Sequence, residues 1–364
     1  MDKLLGRTLT CVVGCLAAQM AHAQSGVTLY GVIDDGLTYV SNASGHHAFK
    51  MEDSIASGDN FGFKGVEDLG GGLSTVFDLE GGFNPNTGAS RQGGLEFGRK
   101  AYVGLSSTQY GTLTLGRQFD QMVITLLRYA GINTGLYSLD PGDQDRLSGE
   151  YLNNLVTYNS PNFHGFNLNA QYSFNSASAP TLNYGRALSL GSNYVNGPFS
   201  AGAAVTDIHD YFFAPASGMG VASFLGHAYS TTSTATAAVQ TYRTAGVGTG
   251  WDAGKWGVSA LYTNTLFENP GVSSTLQSFH GGAQVYLFPY LMLAGGYTFS
   301  KLDSSKWNEF ALEADYLLSK RTDVYLSGNY EKASGDGTRA VLLTETGSSN
   351  DKQLAVRIGL RQRF

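Results

Sequence analysis

The sequence predicts an all-β fold, a sixteen-stranded antiparallel transmembrane β-barrel, from three observations. Apolar and polar residues alternate with a period of two in about sixteen segments, as expected of strands with one lipid face and one polar face. The 48 glycines, 21 tyrosines and 20 phenylalanines are typical of β structure rather than of an α/β enzyme. After the N-terminal region no run of 18 apolar residues occurs, which excludes a helical membrane protein.

The N-terminal segment predicts export. Lys3 and Arg7 precede an apolar stretch, and Ala21-His22-Ala23 supplies the small-x-small pattern of a signal-peptidase site. We therefore expect residues 1–23 to be a cleaved signal peptide and residues 24–364 to form one barrel domain. A lipoprotein box, Val12-Val13-Gly14-Cys15, is the alternative, but cleavage there would leave apolar residues in the mature arm.

Removal of the predicted signal leaves 21 basic and 28 acidic residues, a formal charge of −7, and no cysteine. An acidic balance argues against a nucleic-acid partner. The charged fraction of 14% is low for a soluble surface and fits an exterior that faces lipid.

The C-terminal segment shows the alternation most clearly. Val356, Ile358 and Leu360 share one face with the terminal Phe364, whereas Arg357 and Arg361 share the other. In transmembrane barrels such a strand faces lipid with its apolar side, and aromatic residues lie at the interfaces. The other predicted strands begin near residues 27, 60, 72, 96, 111, 152, 166, 186, 197, 236, 255, 276, 288, 306 and 320.

Tight connections alternate with long ones along the chain, as in barrels with short periplasmic turns and longer external loops. The third external connection spans about thirty residues between Arg117 and Leu152 and contains Leu126, Tyr129 and Tyr137. These apolar residues predict that the loop packs inside the barrel. Its second half is acidic and predicts a negative edge at the narrowest point of the pore; a solvated acidic loop is the alternative.

Several runs resemble Gram-negative porins of the β-proteobacterial type. They include FGFKGVEDLGGGLSTVFDLEGGF at 61–83, FGRKAYVGLSS at 97–107 and GTLTLGRQFD at 111–120. The resemblance implies a homotrimeric, water-filled general diffusion channel of the outer membrane, with the third external loop folded inward. It also implies contact with outer-membrane lipid and lipopolysaccharide, the barrel assembly machinery and small hydrophilic solutes. A substrate-selective channel for sugars, organic anions or aromatic solutes is the alternative, and an adhesin or structural barrel is a third.

The resemblance and the strand parity together define candidate site residues. The pore constriction is expected to hold a wall of Arg99, Lys64, Asn60 and Tyr151, opposite an acidic edge of Asp140, Asp143, Asp145 and Glu150. Further lumen-wall charges are Asp78, Glu80, Glu313, Asp315, Arg357 and Arg361, each of which could instead form an ion pair within the wall. Asn60 and Tyr151 stand where similar porins carry arginines, so we expect weak selectivity that leans toward cations.

Two positions have other expected roles. Arg117 shares its parity with Leu113 and Leu115 and would face outward, and similar porins bury an arginine there at the subunit interface. Phe364 is the expected assembly signal.

Enzymatic chemistry, a cofactor and a metal site are not expected. The histidines near Asp207 lie in a stretch that reads as a flexible external loop, and no nucleophile, base and orienting group are grouped together.

Overall fold

A computed structural model describes residues 26–131, 135–174, 185–230 and 233–364. The predicted signal peptide lies outside the described residues. The strands are β1 (Gly26–Ala43), β2 (His46–Asp53), β3 (Asn60–Gly70), β4 (Leu73–Gly82), β5 (Lys100–Ser107), β6 (Gly111–Phe119), β7 (Tyr151–Asn159), β8 (Phe166–Ser173), β9 (Ala187–Asn196), β10 (Phe199–Phe213), β11 (Ser223–Phe224), β12 (His227–Ala228), β13 (Ala237–Asp252), β14 (Trp256–Asn269), β15 (Val272–Phe288), β16 (Leu291–Leu302), β17 (Ser305–Leu317), β18 (Thr322–Ser334) and β19 (Lys352–Arg363). The helices are α1 (Gln121–Leu126), α2 (Pro215–Met219) and four 3₁₀ turns, Gln92–Gly94, Leu127–Tyr129, Leu136–Ser138 and Pro141–Asp143.

Seventeen of these strands form one sheet, and the pairs within it are antiparallel. Strands β2 and β3 pair with successive halves of β1, so together they occupy one position in the sheet. Strand β1 also pairs with β19, from Val32↔Arg363 to Val40↔Ala355, and this pairing closes the sheet. The described residues therefore form a closed sixteen-stranded antiparallel barrel, as the sequence predicts.

The alternation in β19 separates two environments. Ile358 and Leu360 are 59% and 51% exposed on the outer face, whereas Arg357 and Arg361 are buried on the inner face. The same arrangement recurs in β4, where Asp78 and Glu80 are buried on the inner face and Leu73 is exposed. An apolar outer band with a polar interior is the pattern of a transmembrane barrel.

The last residue of the chain takes part in the seam between β1 and β19. Phe364 and Gly31 exchange two backbone hydrogen bonds, of 3.0 and 3.1 Å. A Cβ atom at Gly31 would lie 2.4 Å from the Phe364 ring, so only glycine leaves room for the aromatic side chain.

Two sequence-based expectations need correction. Strand β2 was not among the predicted segments, because the second barrel strand is interrupted at residues 54–59. The stretch from Asp207 to Ser230 is not a flexible loop: it begins within β10 and continues through α2 and the β11–β12 hairpin. Met219 and Phe224 are buried there in an apolar cluster that extends into the barrel wall.

No helix in the described part of the chain is long and apolar enough to cross a membrane.

Candidate pore constriction

The connection between β6 and β7, residues 120–150, is anchored where it begins and ends; we call it the third connection. Asp120 caps α1 by accepting from the Val123 amide at 3.4 Å, and Arg146 Nε donates to the other Asp120 oxygen at 3.1 Å. Both charged side chains are buried. The Arg146 guanidinium also lies over the Tyr242 ring, 4.4 Å from its centroid. The two halves of the connection are thus held together against β13.

The tip of the third connection is bound to the inner face of β14, β15 and β16. Asp145 accepts from Thr263 Oγ1 at 3.0 Å and contacts His280 Nε2 at 3.1 Å. Ser278 donates to Asp140 at 3.3 Å, and Thr298 donates to the Ser138 carbonyl at 3.0 Å. The polar inner residues of these strands thereby find partners that lie more than a hundred positions away in the sequence.

A second set of contacts joins the same connection to β1 and β2. The Tyr137 hydroxyl donates to Glu52 at 2.7 Å and lies 3.4 Å from Thr38 Oγ1. Tyr137 is completely buried, as are Met122, Leu126 and Tyr129. The apolar residues of the connection are therefore packed within the protein, which explains their presence in a segment of this length.

The acidic residues of the third connection do not occupy the place predicted for them. Asp140 and Asp145 are completely buried against β14 and β15, and Glu150 accepts from Tyr211 at 3.0 Å. Burial raises the pKa of Asp140 and Glu150, and burial together with the charge of Asp145 raises the pKa of Asp143 to about 8. The expected acidic edge opposite Arg99 is wrong for Asp140 and Asp145, because their oxygens are taken up by the wall.

Arg99 belongs instead to a network with neighbouring strands. Its Nε donates to Glu80, and its Nη1 donates to the Tyr151 hydroxyl at 3.1 Å. Glu80 also accepts from Lys100 at 2.7 Å and from the Tyr30 hydroxyl at 2.8 Å. The inner-wall acids near Arg99 are thus matched by bases.

Charges near the last strand are matched in the same way. Arg361 lies 3.0 Å from Asp315 and 2.9 Å from Asp323, and Arg363 lies 2.6 Å from Asp323. Arg357 donates to the Tyr325 hydroxyl at 2.7 Å and lies 3.6 Å from an Asp34 oxygen. Glu313 is buried in the wall nearby, and one of its oxygens has no hydrogen-bond partner among the described residues. Most of the charged side chains near the last strand are therefore held in ion pairs within the lumen wall.

An open space of about 1020 Å³ lies between the third connection and the wall. Its charged lining residues are Asp59, Arg91, Arg99, Arg128 and Asp252, whereas Asp140, Asp143, Asp145 and Glu150 do not line it. Asp59 is buried, and Arg91 and Arg99 form ion pairs with Asp53 and Glu80. Arg128 and Asp252 are both exposed, and neither is in an ion pair within the described part of the chain; Asp252, at the end of β13, accepts from the Gly254 amide at 2.8 Å.

The remaining predicted residues are placed as follows. Asn60 and Tyr151 line the open space with Arg99, whereas Lys64 is exposed and lies over the Tyr30 ring at 5.1 Å. Arg117 donates to the Gly98 carbonyl at 2.7 Å and lies 5.2 Å from the centre of the Tyr151 ring. These contacts do not test whether Arg117 lies at a subunit interface, and that role stays a prediction.

Sequence reasoning missed Arg128, Lys100 and the ring of Phe119, which packs at a tilt against Tyr151 with 4.5 Å between centroids. One signal was available for Arg128, since it is the only charged residue between Asp120 and Asp140. A single charge in an otherwise apolar segment that packs in the interior needs a polar surface, and the open space provides one.

Among the described residues, the one group of three or more metal-type ligands is Asp140, Asp143 and Asp145. Asp207 forms an ion pair with Arg243 at 2.5 Å, and His227 is exposed on β12. Neither residue belongs to the group of metal-type ligands found among the described residues.

Comparisons with known proteins agree with this architecture. A family model described as Gram-negative porin matches residues 8–336. An outer membrane porin protein of Bordetella pertussis is 30% identical over 95% of this chain and 96% of its own length. Outer membrane porin protein 32 of Delftia acidovorans is 34% identical over 54% of this chain and 58% of its own length.

Solved porin structures have the same fold as this chain. The anion-selective porin from Comamonas acidovorans superposes with a TM-score of 0.78 at 25% identity, covering 94% of this chain and all of that one. A trimer form of OmpT from Vibrio cholerae shares the fold, with a TM-score of 0.67 at 14% identity over 93% of this chain and 99% of its own.

Proposed function

The chain belongs to the Gram-negative porin family and is an outer-membrane protein, and from this premise we propose that it forms a water-filled channel for passive diffusion of small hydrophilic solutes, with a preference for anions. The observation that carries the proposal is Arg128, an exposed guanidinium on the lining of the open space. The channel itself requires no enzymatic step.

The charge balance supports the anion preference. Ion pairs within the wall neutralise Glu80, Asp315 and Asp323, and burial removes Asp140 and Asp145 from the lumen. A charge lining a narrow opening acts on ions within about 8 Å at physiological ionic strength. Arg128 and Asp252 therefore contribute more to selectivity than the paired charges. We assign the larger contribution to Arg128, because it lies on the third connection that narrows the lumen, whereas Asp252 lies at the end of β13. The cation preference expected from the sequence depended on missing arginines at Asn60 and Tyr151 and on an acidic edge of aspartates. These aspartates do not line the open space, so we propose the opposite sign.

The third connection supplies the constriction in this proposal. Its hydrogen bonds to β1, β2, β14, β15 and β16 support a position across the lumen, since these strands lie on different sides of the closed barrel. A segment crossing the interior narrows the water-filled path without closing it, because the open space remains beside it.

We also propose a homotrimer. The trimer form of a structural relative supports it, as does the apolar outer face of β1 and β2, where Leu37, Phe49 and Met51 are each at least 60% exposed. A threefold contact would cover part of this face.

A substrate-selective channel is the second candidate, favoured by one observation. The Arg99 guanidinium lies 5.3 and 5.9 Å from the centres of the Phe119 and Tyr151 rings, both on the lining of the open space. An arginine beside two aromatic rings could hold an aromatic carboxylate by charge and by stacking.

Solute flux distinguishes the two candidates. Swelling rates of proteoliposomes should fall smoothly with the size of neutral sugars, and benzoate should not reduce the ion current in a saturable way. Saturable block by benzoate that Tyr151→Ala removes would favour the selective channel; absence of any swelling would contradict both.

A further inference from the structure

The third connection contains three carboxylates that form no ion pair with a lysine or arginine in the described part of the chain. One ligand oxygen from each of Asp140, Asp143 and Asp145 lies within 4.8 Å of the others. Oxygens that share a calcium ion at 2.3–2.6 Å are separated by at most about 5 Å. The separation of the three carboxylates is therefore the one that a single calcium ion would produce.

Unpartnered oxygens in the same turn provide a second observation. Asp145 Oδ2 is used by Thr263 and His280, but Oδ1 is buried and has no hydrogen-bond partner among the described residues. The Asp140 and Asp145 carboxyl groups interact with one another, and the two Asp143 oxygens accept from the amide and hydroxyl of Ser148. Gln144 is 94% buried, its Nε2 donates to the Gly142 carbonyl at 2.8 Å, and its Oε1 has no partner in the described part of the chain. Buried acceptors without partners are costly and require an explanation.

The surroundings do not supply the missing positive charge. The donors to Asp140 and Asp145 are the hydroxyls of Ser278 and Thr263 and the ring of His280. The nearest arginine in the sequence, Arg146, directs Nε to Asp120 and Nη2 to the Thr206 carbonyl, and it forms no ion pair with the three aspartates among the described residues. Asp140 is also repelled by Glu309, a buried acid on β17. Protons or a bound cation must neutralise the cluster, because two of the three carboxylates are completely buried and all three lie close together.

We propose that Asp140, Asp143 and Asp145 bind one calcium ion, with the Gln144 carboxamide oxygen as an additional ligand. The ligands are all oxygens in an irregular loop, which suits calcium with its flexible coordination better than magnesium, which demands a regular octahedron, or zinc, which favours nitrogen and sulfur. Because Asp140 and Asp145 are also bonded to β14 and β15, the ion fastens the tip of the third connection to the barrel wall. The site is separate from the lining of the open space, so the inference is independent of the selectivity proposed above.

Calcium binding to the folded full-length protein tests this inference. The protein is folded in detergent from inclusion bodies, free of lipopolysaccharide, and stripped with EDTA. Isothermal titration with calcium chloride should show saturable binding of one ion per chain, and calcium should raise the temperature at which the heat-modifiable folded form is lost. Asp145→Asn and Asp143→Asn should each weaken binding at least tenfold, whereas Asp336→Asn, at an exposed loop position, should leave it unchanged.

Three outcomes would overturn the site. Wild-type protein without saturable calcium binding would show that protons neutralise the cluster. Binding that is equal in wild type and Asp143→Asn would place the ion elsewhere; this variant keeps the wall contacts of Asp145 and decides the question if Asp145→Asn does not fold. Tighter binding of magnesium than of calcium would contradict the coordination proposed.

Discussion

At the scale of single residues, the pairing state of a charge decides its function in this channel. Arg361 and Arg99 are held by carboxylates in the wall, whereas Arg128 is exposed on the lining of the open space. Strand parity identifies which side of the barrel a residue faces, but it carries no information on its partner. The sequence therefore predicted the inner face for Arg357 and Glu80 and could not predict that both are neutralised.

Removal of the Arg128 charge should shift selectivity toward cations. A unit charge about 4 Å from an ion in water contributes about 1 kcal/mol, roughly a fivefold change in local ion concentration before screening. We expect Arg128→Ala to lower the anion-to-cation permeability ratio by roughly two- to fivefold. The measurement is the reversal potential in a potassium chloride gradient. Arg128→Lys is the matched control and should keep the ratio of the wild type; an unchanged ratio in Arg128→Ala would show that this side chain is not at the filter.

The contact of Gly31 with Phe364 predicts a second single-residue effect. Gly31→Leu should reduce the yield of folded barrel, because its Cβ would overlap the ring that closes the seam, and overpacking typically costs about 1–3 kcal/mol. Gly281→Leu is the control, since no atom lies within 4 Å of a Cβ at that strand position. The yield is read as the heat-modifiable band after folding in detergent. Equal yields from the two variants would show that the Gly31 contact does not limit assembly.

At the scale of elements, long periodic strands were predictable and their interruptions were not. All sixteen predicted segments correspond to observed strands, since a lipid face must be apolar along its whole length. Strand β2 was missed because residues 54–59 break the period, with the Ala56 and Ser57 amides turned to the Asp34 carboxylate. Likewise, the glycines, serines and histidines scattered through residues 207–230 concealed a buried apolar set around Phe224.

The terminal strand provides a test of register. Ile358→Arg would place a charge on the outer face, at a cost of about 2–4 kcal/mol near the middle of the bilayer. We expect it to reduce insertion into outer-membrane vesicles, whereas Asn60→Arg, which adds the same residue beside the open space, should insert normally. Normal insertion of Ile358→Arg would place residue 358 away from lipid.

The third connection can be tested as an element. Deletion of residues 138–146 removes the contacts to Thr263, Ser278 and Thr298 but leaves every barrel strand intact. Single-channel conductance should rise, and the exclusion limit for sugars should increase, because the segment no longer narrows the lumen. Unchanged conductance would contradict its position across the channel.

At the scale of the whole molecule, fold and selectivity differ in how they depend on the sequence. The closed barrel follows from strand number and alternation, which local patterns encode. In the proposed channel, selectivity follows from which charges remain unpaired after the third connection packs against the wall, and this depends on contacts such as Asp145 with His280 across 135 positions. A sequence pattern could not show that the aspartates are turned toward the wall while Arg128 remains exposed.

The reversal potential of the wild-type channel tests the central claim most directly. Purified protein is inserted into a planar bilayer of neutral lipid that separates two potassium chloride solutions of different concentration, so that lipid charge does not contribute. Arg128 on the third connection, with Asp252 at the end of β13 as the unpaired exposed carboxylate of the described lining, predicts a potential with the sign of chloride preference. A potential with the sign of potassium preference would contradict the account, because carboxylates rather than Arg128 would then govern the narrowest point of the pore.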